Sequence, residues 1–335
     1  MHEIDMTTGR AATAWVGLPP WHGLGNPMTG EETLEEWSIA AGMNWRANRF
    51  RLGFDPNNQV EKIEEEGGVY AEASFSPIEE LNALVRSDTG GFLGMVSPRY
   101  NIVQPTEVLE FFGDLTKSYG FKMETAGCLR SGRVIWALAS TNMAISLEDV
   151  DEVKAYLLLS TSFDRSVATQ AKFTSVRVVC NNTLTMSNSE QSASSIVIPH
   201  SRKFDANQAK IDLKIGEAWE TFKGQMLKMA STPVTEEMQA KYLLKVYHNL
   251  KEGDPVERKH ERTIRHMAKI LRTAPGADMP TALGTVWGLL NAVTHDVDFD
   301  AGRRNLDTRL SEAWFGAGER LKNKAFAEAL ALVTL

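Results

Sequence analysis

The stretch "TSFDRSVATQAKFTSVRVVCNNTL", residues 161–184, decides how the rest of the chain is read. From Arg165 to Ser189 it holds Arg165, Lys172 and Arg177 and no acid, although the chain carries a net charge of −7. Val176, Val179, Cys180 and Leu184 are spaced for one helical face. That spacing predicts a helix over about residues 167–182, ending near Asn181 and Asn182. The many β-branched residues argue against it, because they lose side-chain freedom in a helix.

Upstream, "VKAYLLLSTSF" is a continuous apolar run and reads as a buried strand. "FKMETAGCL" and "VIWALAST" flank the turn "RSGR" and read as a hairpin. "QPTEVLEFFGDLTKSYG" opens on Pro105, places Val108, Leu109, Phe112 and Leu115 on one face, and stops at Gly120. It reads as a helix. The order is then helix, hairpin, strand, helix. Further upstream, "NALVRSDTGGFLGMVS" reads as a second hairpin and "MNWRANRFRLGF" as a strand. "TGEETLEEWSIAAG" reads as a helix over residues 31–41, with Thr29 and Glu32 as a capping box.

After residue 205 every periodic segment is helical, with breaks at Pro233, Gly253-Asp254-Pro255 and Pro275-Gly276. The fold class expected is α+β: an antiparallel sheet with packed helices, then an all-helical part. The expected domains are an α+β core with an N-terminal extension over 1–200 and a helical domain over 205–335. The boundary falls in the polar segment 187–204.

The 335 residues are enough for a sizeable core. No apolar run approaches the ~20 residues of a membrane span. No secretory signal is visible, and two cysteines fit a reducing compartment, so a cytoplasmic location is expected. Charge is uneven: residues 1–150 carry net −10, residues 151–210 net +2. No nucleotide-binding glycine loop, metalloprotease helix or nucleophile elbow occurs. The reading is therefore a non-enzymatic protein with no cofactor and no metal. His260 and His266, six apart, do not share a helical face, and "HERTIRH" reads as a solvated basic helix face. "THDVDFD", residues 294–300, reads as a polar loop between helices, since it lacks the glycine and distal glutamate of a calcium loop. "PPWHGLG" reads as a compact turn around Trp21 and His22.

Cations and aromatic residues interleave between residues 99 and 184. Arg99, Tyr100, Lys122, Arg130 and Arg133 come first, then Arg165, Lys172 and Arg177. Cations neutralise phosphates and aromatic faces receive bases, so this pattern suits a groove for single-stranded nucleic acid. Asn181 and Asn182 would cap the helix and bond sugar or backbone. The bland alternative is a C-cap and solvated hairpin cations.

The motifs "PWHGLG" (20–25), "SPRYNIVQPTEVLEFF" (97–112), "GCLRSGRVIWALA" (127–139), "YLLLSTSFDRS" (156–166) and "FTSVRVVCNNTL" (173–184) resemble a family found in bacteriophages and plasmids. "TVWGLLNAVT" and "WFGAGERLKNKAFAEA" extend the resemblance toward the C-terminus. That family is catalogued as a domain of unknown function and labelled phage/plasmid-like protein. The resemblance implies glycine in other members where Arg165 stands here. The element order is also similar to phage single-strand annealing proteins of the Red-beta, RecT and Erf kind. That second similarity implies a ring or filament of identical subunits holding single-stranded DNA for annealing, without nucleotide hydrolysis. The rival expectation is a counter-defence protein that binds a host protein, its acidic N-terminal part mimicking DNA.

Overall fold

The computed structural model describes residues 3–17, 20, 23–56, 60–65, 68–73, 76–179, 182–185, 195–203, 205, 208, 214–251, 253–300 and 308–334. Trp21, His22, Cys180 and Asn181 lie outside the described residues, as does half of the expected boundary segment.

The chain is α+β. In order, the strands and helices of the first part are β1 (Thr13–Val16), β2 (Asn26–Met28), α1 (Leu34–Ala40), β3 (Ala47–Phe54), β4 (Val60–Glu65), β5 (Gly68–Ala73), β6 (Ser76–Arg86) and β7 (Phe92–Val96). Then come α2 (Pro105–Tyr119), β8 (Lys122–Leu129), β9 (Val134–Leu147), β10 (Asp151–Ser162), β11 (Thr169–Arg177), β12 (Asn182–Thr185) and β13 (Ser195–Ile198). The C-terminal part contains α3 (Ile215–Ser231), α4 (Glu236–His248), α5 (Arg258–Thr273), α6 (Val286–His295), α7 (Arg309–Phe315) and α8 (Ala317–Val333). The eight-stranded main sheet runs β12-β11-β10-β9-β8-β1-β2, with β13 also on β11. A second sheet is β3-β6-β7, and β4 pairs with β5.

Local chemistry explains the elements that match expectation. Helix α2 starts on Pro105 and closes on Gly120, whose φ of 69° suits a residue without a Cβ. The hairpins β6–β7 and β8–β9 form where the turn residues put them. Helix α1 differs at its start. Its capping box is Thr33 with Glu36, while Thr29 and Glu32 close a separate turn four residues earlier. Two consecutive Thr-x-x-Glu patterns compete in "TGEETLEE", and the one adjoining the apolar residues wins.

The segment expected as a helix over 167–182 is a strand over Thr169–Arg177. It pairs antiparallel with β10, Ser160 opposite Gln170 through Val153 opposite Arg177. Its period-two alternation was the relevant one. Ala171 and Phe173 join the apolar clusters on one face of the sheet, whereas Lys172 and Val176 sit on the other. The observed order is thus helix, hairpin, strand, strand, and the expected likeness to the annealing core loses its last helix.

The helices of the C-terminal part pack on both faces of this sheet. Trp219 of α3 stands edge-on to Phe173, centroids 6.0 Å apart, and Phe222 meets Phe326 of α8 at 5.7 Å. On the opposite face Trp314 of α7 stands edge-on to Trp136 at 5.0 Å. Helix α2 covers the remainder of the first face, its Phe112 and Leu115 clustering with Leu157 and Leu159. Among the described residues no helix is long and apolar enough to cross a membrane.

Candidate nucleic-acid interface

Strand geometry settles where the opening stretch sends its cations. Residues 172 and 177 differ by an odd number, so β11 points Lys172 and Arg177 to opposite faces. Each meets an acid from a distant part of the chain. Lys172 pairs with Glu319 of α8. Arg177 is buried and pairs with the fully buried Asp151, its Nε 2.7 Å and its Nη2 2.7 Å from the carboxylate oxygens. Asp151 also accepts from Thr281 Oγ1 at 2.8 Å and Trp287 Nε1 at 3.1 Å, and Arg177 Nη2 donates to Gly276 O at 3.0 Å. This network ties the sheet to the loop before α6. Lys172 and Arg177 therefore do not form one groove wall, and the missing acids of 165–189 are supplied from residues 151 and 319.

The other expected site residues separate into three groups. Arg130 is tied down by Glu3 at 2.8 Å and Ser311 Oγ at 2.6 Å. Tyr100 is buried, its hydroxyl donating to Ser162 O at 2.5 Å and its ring stacked on His200 at 4.2 Å. Burial pushes that hydroxyl's pKa up. Tyr100 is a strut rather than a free stacking surface. Lys122 is exposed but starts β8, a strand length of about 23 Å from the Leu129 end. Asn182 is the first residue of β12, opposite Arg177, so it does not cap a helix.

Arg99, Arg133 and Arg165 form the third group. All three are exposed and gather at one end of the main sheet. Phe163 N donates to Arg133 O at 2.8 Å, and Tyr100, next to Arg99, bonds Ser162. Arg165 lies two residues further in the β10–β11 turn, with φ 66°, a conformation glycine adopts most easily. The β3-β6-β7 sheet docks at this same end. A Cβ on Gly94 would come within 2.7 Å of Phe163 O and 2.8 Å of Asp164 Cα, so only glycine permits this approach.

The outer face of that small sheet carries exposed apolar side chains. Phe50, Ala83 and Met95 lie in one cross-strand row, Val85 and Phe92 in the next. Phe50 is 52% exposed, Phe92 49% and Met95 46%. Arg46 and Arg99 are exposed in the segments flanking β3 and β7, Arg51 falls in the opposite-face row Arg51-Asn82-Val96, and Arg49 is bonded to Pro98 O at 2.6 Å and to Tyr100 O. Arg49 thereby holds the loop that carries Arg99. The sequence signal was "NWRANRFRLGF", residues 44–54: three arginines alternating with aromatic residues and no acid.

The segment 294–300, expected as a polar loop, instead ends α6 and continues as a π-helical turn over Asp296–Asp300. Asp296 and Asp298 are buried because each has partners. Tyr247 Oη lies 2.6 Å and His266 Nε2 2.7 Å from Asp296, and Lys322 Nζ 2.8 Å from Asp298. Burial, then the Asp296 charge, push the Tyr247 hydroxyl's pKa up. Among the described residues no group of three or more His, Cys, Asp or Glu side chains is placed to hold a metal ion.

Residues 92–314 match the model of the family described as "Domain of unknown function (DUF932)", and the chain belongs to that family. No curated protein and no solved structure matches it. The matched range includes Arg99, Arg133 and Arg165 and excludes β3 with Phe50.

Proposed function

We propose that this protein binds single-stranded DNA at the end of the main sheet where β3, β7 and the β10–β11 turn meet, and promotes annealing of complementary strands without nucleotide hydrolysis. The observation that carries the reading is the pair of exposed rings, Phe50 and Phe92, on one face of the small sheet, with exposed Arg46 and Arg99 in the flanking segments. Unstacked bases have free π-faces, which a duplex hides, so exposed aromatic rings favour a single strand. The arginines neutralise its phosphates. Arg133 and Arg165 extend the charged surface past the Gly94 contact. Identical subunits side by side would present such faces as a continuous track.

Fluorescence anisotropy with a labelled (dT)30 tests this. Phe50→Ala and Phe92→Ala are each expected to weaken binding by about 1–3 kcal/mol, roughly 5–150-fold. No loss of (dT)30 affinity in either variant, with the protein still folded, would end the reading. A host-protein-binding role has its own support: residues 55–80 hold eight acids and one lysine, centred on the β4–β5 ribbon. Light scattering with and without (dT)30 separates the two. An annealer assembles into large rings or filaments, and a DNA mimic does not.

A further inference from the structure

Helix α5, Arg258–Thr273, carries Arg258, Lys259, Arg262, Arg265, Lys269 and Arg272 against a single acid, Glu261. Five of these cations fall at steps of four, three, four and three residues: 258, 262, 265, 269 and 272. That spacing is one face of a helix, so the five side chains form a straight ridge. All five are exposed. Among the described residues no carboxylate lies within ion-pair distance of any of them, whereas Lys172, Arg177 and Lys322 each have one. The ridge spans 15 residues, Arg258 to Arg272, about 21 Å from first to last at a rise of about 1.5 Å per residue.

The arrangement opposes helix stability. Like charges three or four apart destabilise a helix, and here four such pairs run in succession. The protein as a whole has spare acid, yet among the described residues none pairs with the ridge. A fixed row of unpaired cations of this length has the dimensions of a polyphosphate backbone rather than of one small anion. The helix is also rigidly seated: Met267 and Ile270 are buried with α4 and α6 in one apolar cluster. That seating speaks against a lipid surface, since no apolar face of α5 is left to enter a membrane.

We infer that the α5 ridge is a second nucleic-acid site, one that binds the phosphate backbone of duplex or single-stranded DNA without reading bases. It lies far from the sheet-end face. The loop after α5 bonds Arg177 through Gly276 beside Asp151, at the start of β10, while β7 docks through Gly94 on Phe163, just past its end. Eleven strand residues, about 36 Å, separate the two. One subunit can then hold two segments of nucleic acid. Backbone binding by the ridge stands by itself; its use in bringing two strands together rests on the annealing reading.

The test uses a 20-bp duplex, (dT)20 and phosphatidylserine vesicles, with the full chain. Arg262→Glu/Arg265→Glu/Lys269→Glu should lower duplex affinity at least about tenfold at 50 mM salt. It should also flatten the slope of log affinity against log salt by about 0.9 for each phosphate no longer neutralised. Arg262→Lys/Arg265→Lys should keep both. Phe50→Ala/Phe92→Ala should leave duplex binding intact, which separates failure of this site from failure of the sheet-end site. Should the charge-reversed variant melt early, Arg262→Gln/Lys269→Gln supplies the same comparison. An unchanged salt slope in a folded variant overturns the proposal. So does wild-type protein that binds the vesicles and not the duplex.

Discussion

Strand β11 and helix α5 are two stretches where this acidic chain is basic, and they resolve that charge in opposite ways. In β11 the cations turn inward and find Asp151 and Glu319. In α5 the five ridge cations stay on the surface with no ion-pair partner among the described residues. The two look alike in composition. They differ in where the counter-charge comes from, and that depends on residues 26 positions before Arg177 and 147 positions after Lys172. A basic run marks a ligand site only once the fold has been asked for the missing acids.

The largest expected effect comes from breaking the inward pair. Arg177→Ala leaves Asp151 buried with Thr281 and Trp287 as its named remaining donors. Removing one member of a buried ion pair costs about 3–5 kcal/mol. Urea unfolding should show a loss of that size, with the salt slope of DNA binding unchanged in protein that remains folded. A mild stability loss together with a flattened slope would place Arg177 on the ligand side after all and erase the contrast.

The second pair is shallower and should cost less. Lys172 and Glu319 are about one-tenth exposed. Lys172→Ala strands one partly buried carboxylate, for about 1–3 kcal/mol. A double-mutant cycle with Glu319→Ala isolates the interaction. A coupling near zero, with a drop in DNA affinity for Lys172→Ala alone, would move Lys172 from the structural set to the binding set.

The comparison also shows what was legible in the chain itself. Helix α2 and the two hairpins are written in local chemistry: Pro105, Gly120, Asp88-Thr89-Gly90-Gly91 and the Arg130–Arg133 turn. Strand β11 is not. Val176, Val179 and Leu184 satisfy a helical spacing while Lys172, Thr174 and Val176 satisfy an alternating one. The choice is made by the ladder to β10, a partner that period counting does not consult. The same limit hid the site. Arg99, Arg133 and Arg165 were identifiable as cations but not as neighbours. Phe50 was identifiable as an aromatic residue in a strand, but its exposure follows from its place on the outer face of β3-β6-β7. The ridge of α5 was present at steps of three and four all along, and its first half passes as an ordinary solvated face.

The smallest effect is the most discriminating. Arg262 has like-charged neighbours at Arg258, Lys259 and Arg265, three or four positions away. Each such pair costs a helix about 0.2–0.5 kcal/mol. Arginine and glutamine have nearly equal helix propensity, so Arg262→Gln removes repulsion and little else. The variant should be more stable than wild type by about 0.5–1 kcal/mol at low salt. The gain should vanish near 1 M salt, where the screening length is about 3 Å. The same exchange at Arg177 should destabilise by several times as much and resist salt, because that pair is sealed from solvent. If Arg262→Gln instead destabilises, the ridge has structural partners, and α5 joins β11 as a second inward-facing basic element with no surface role.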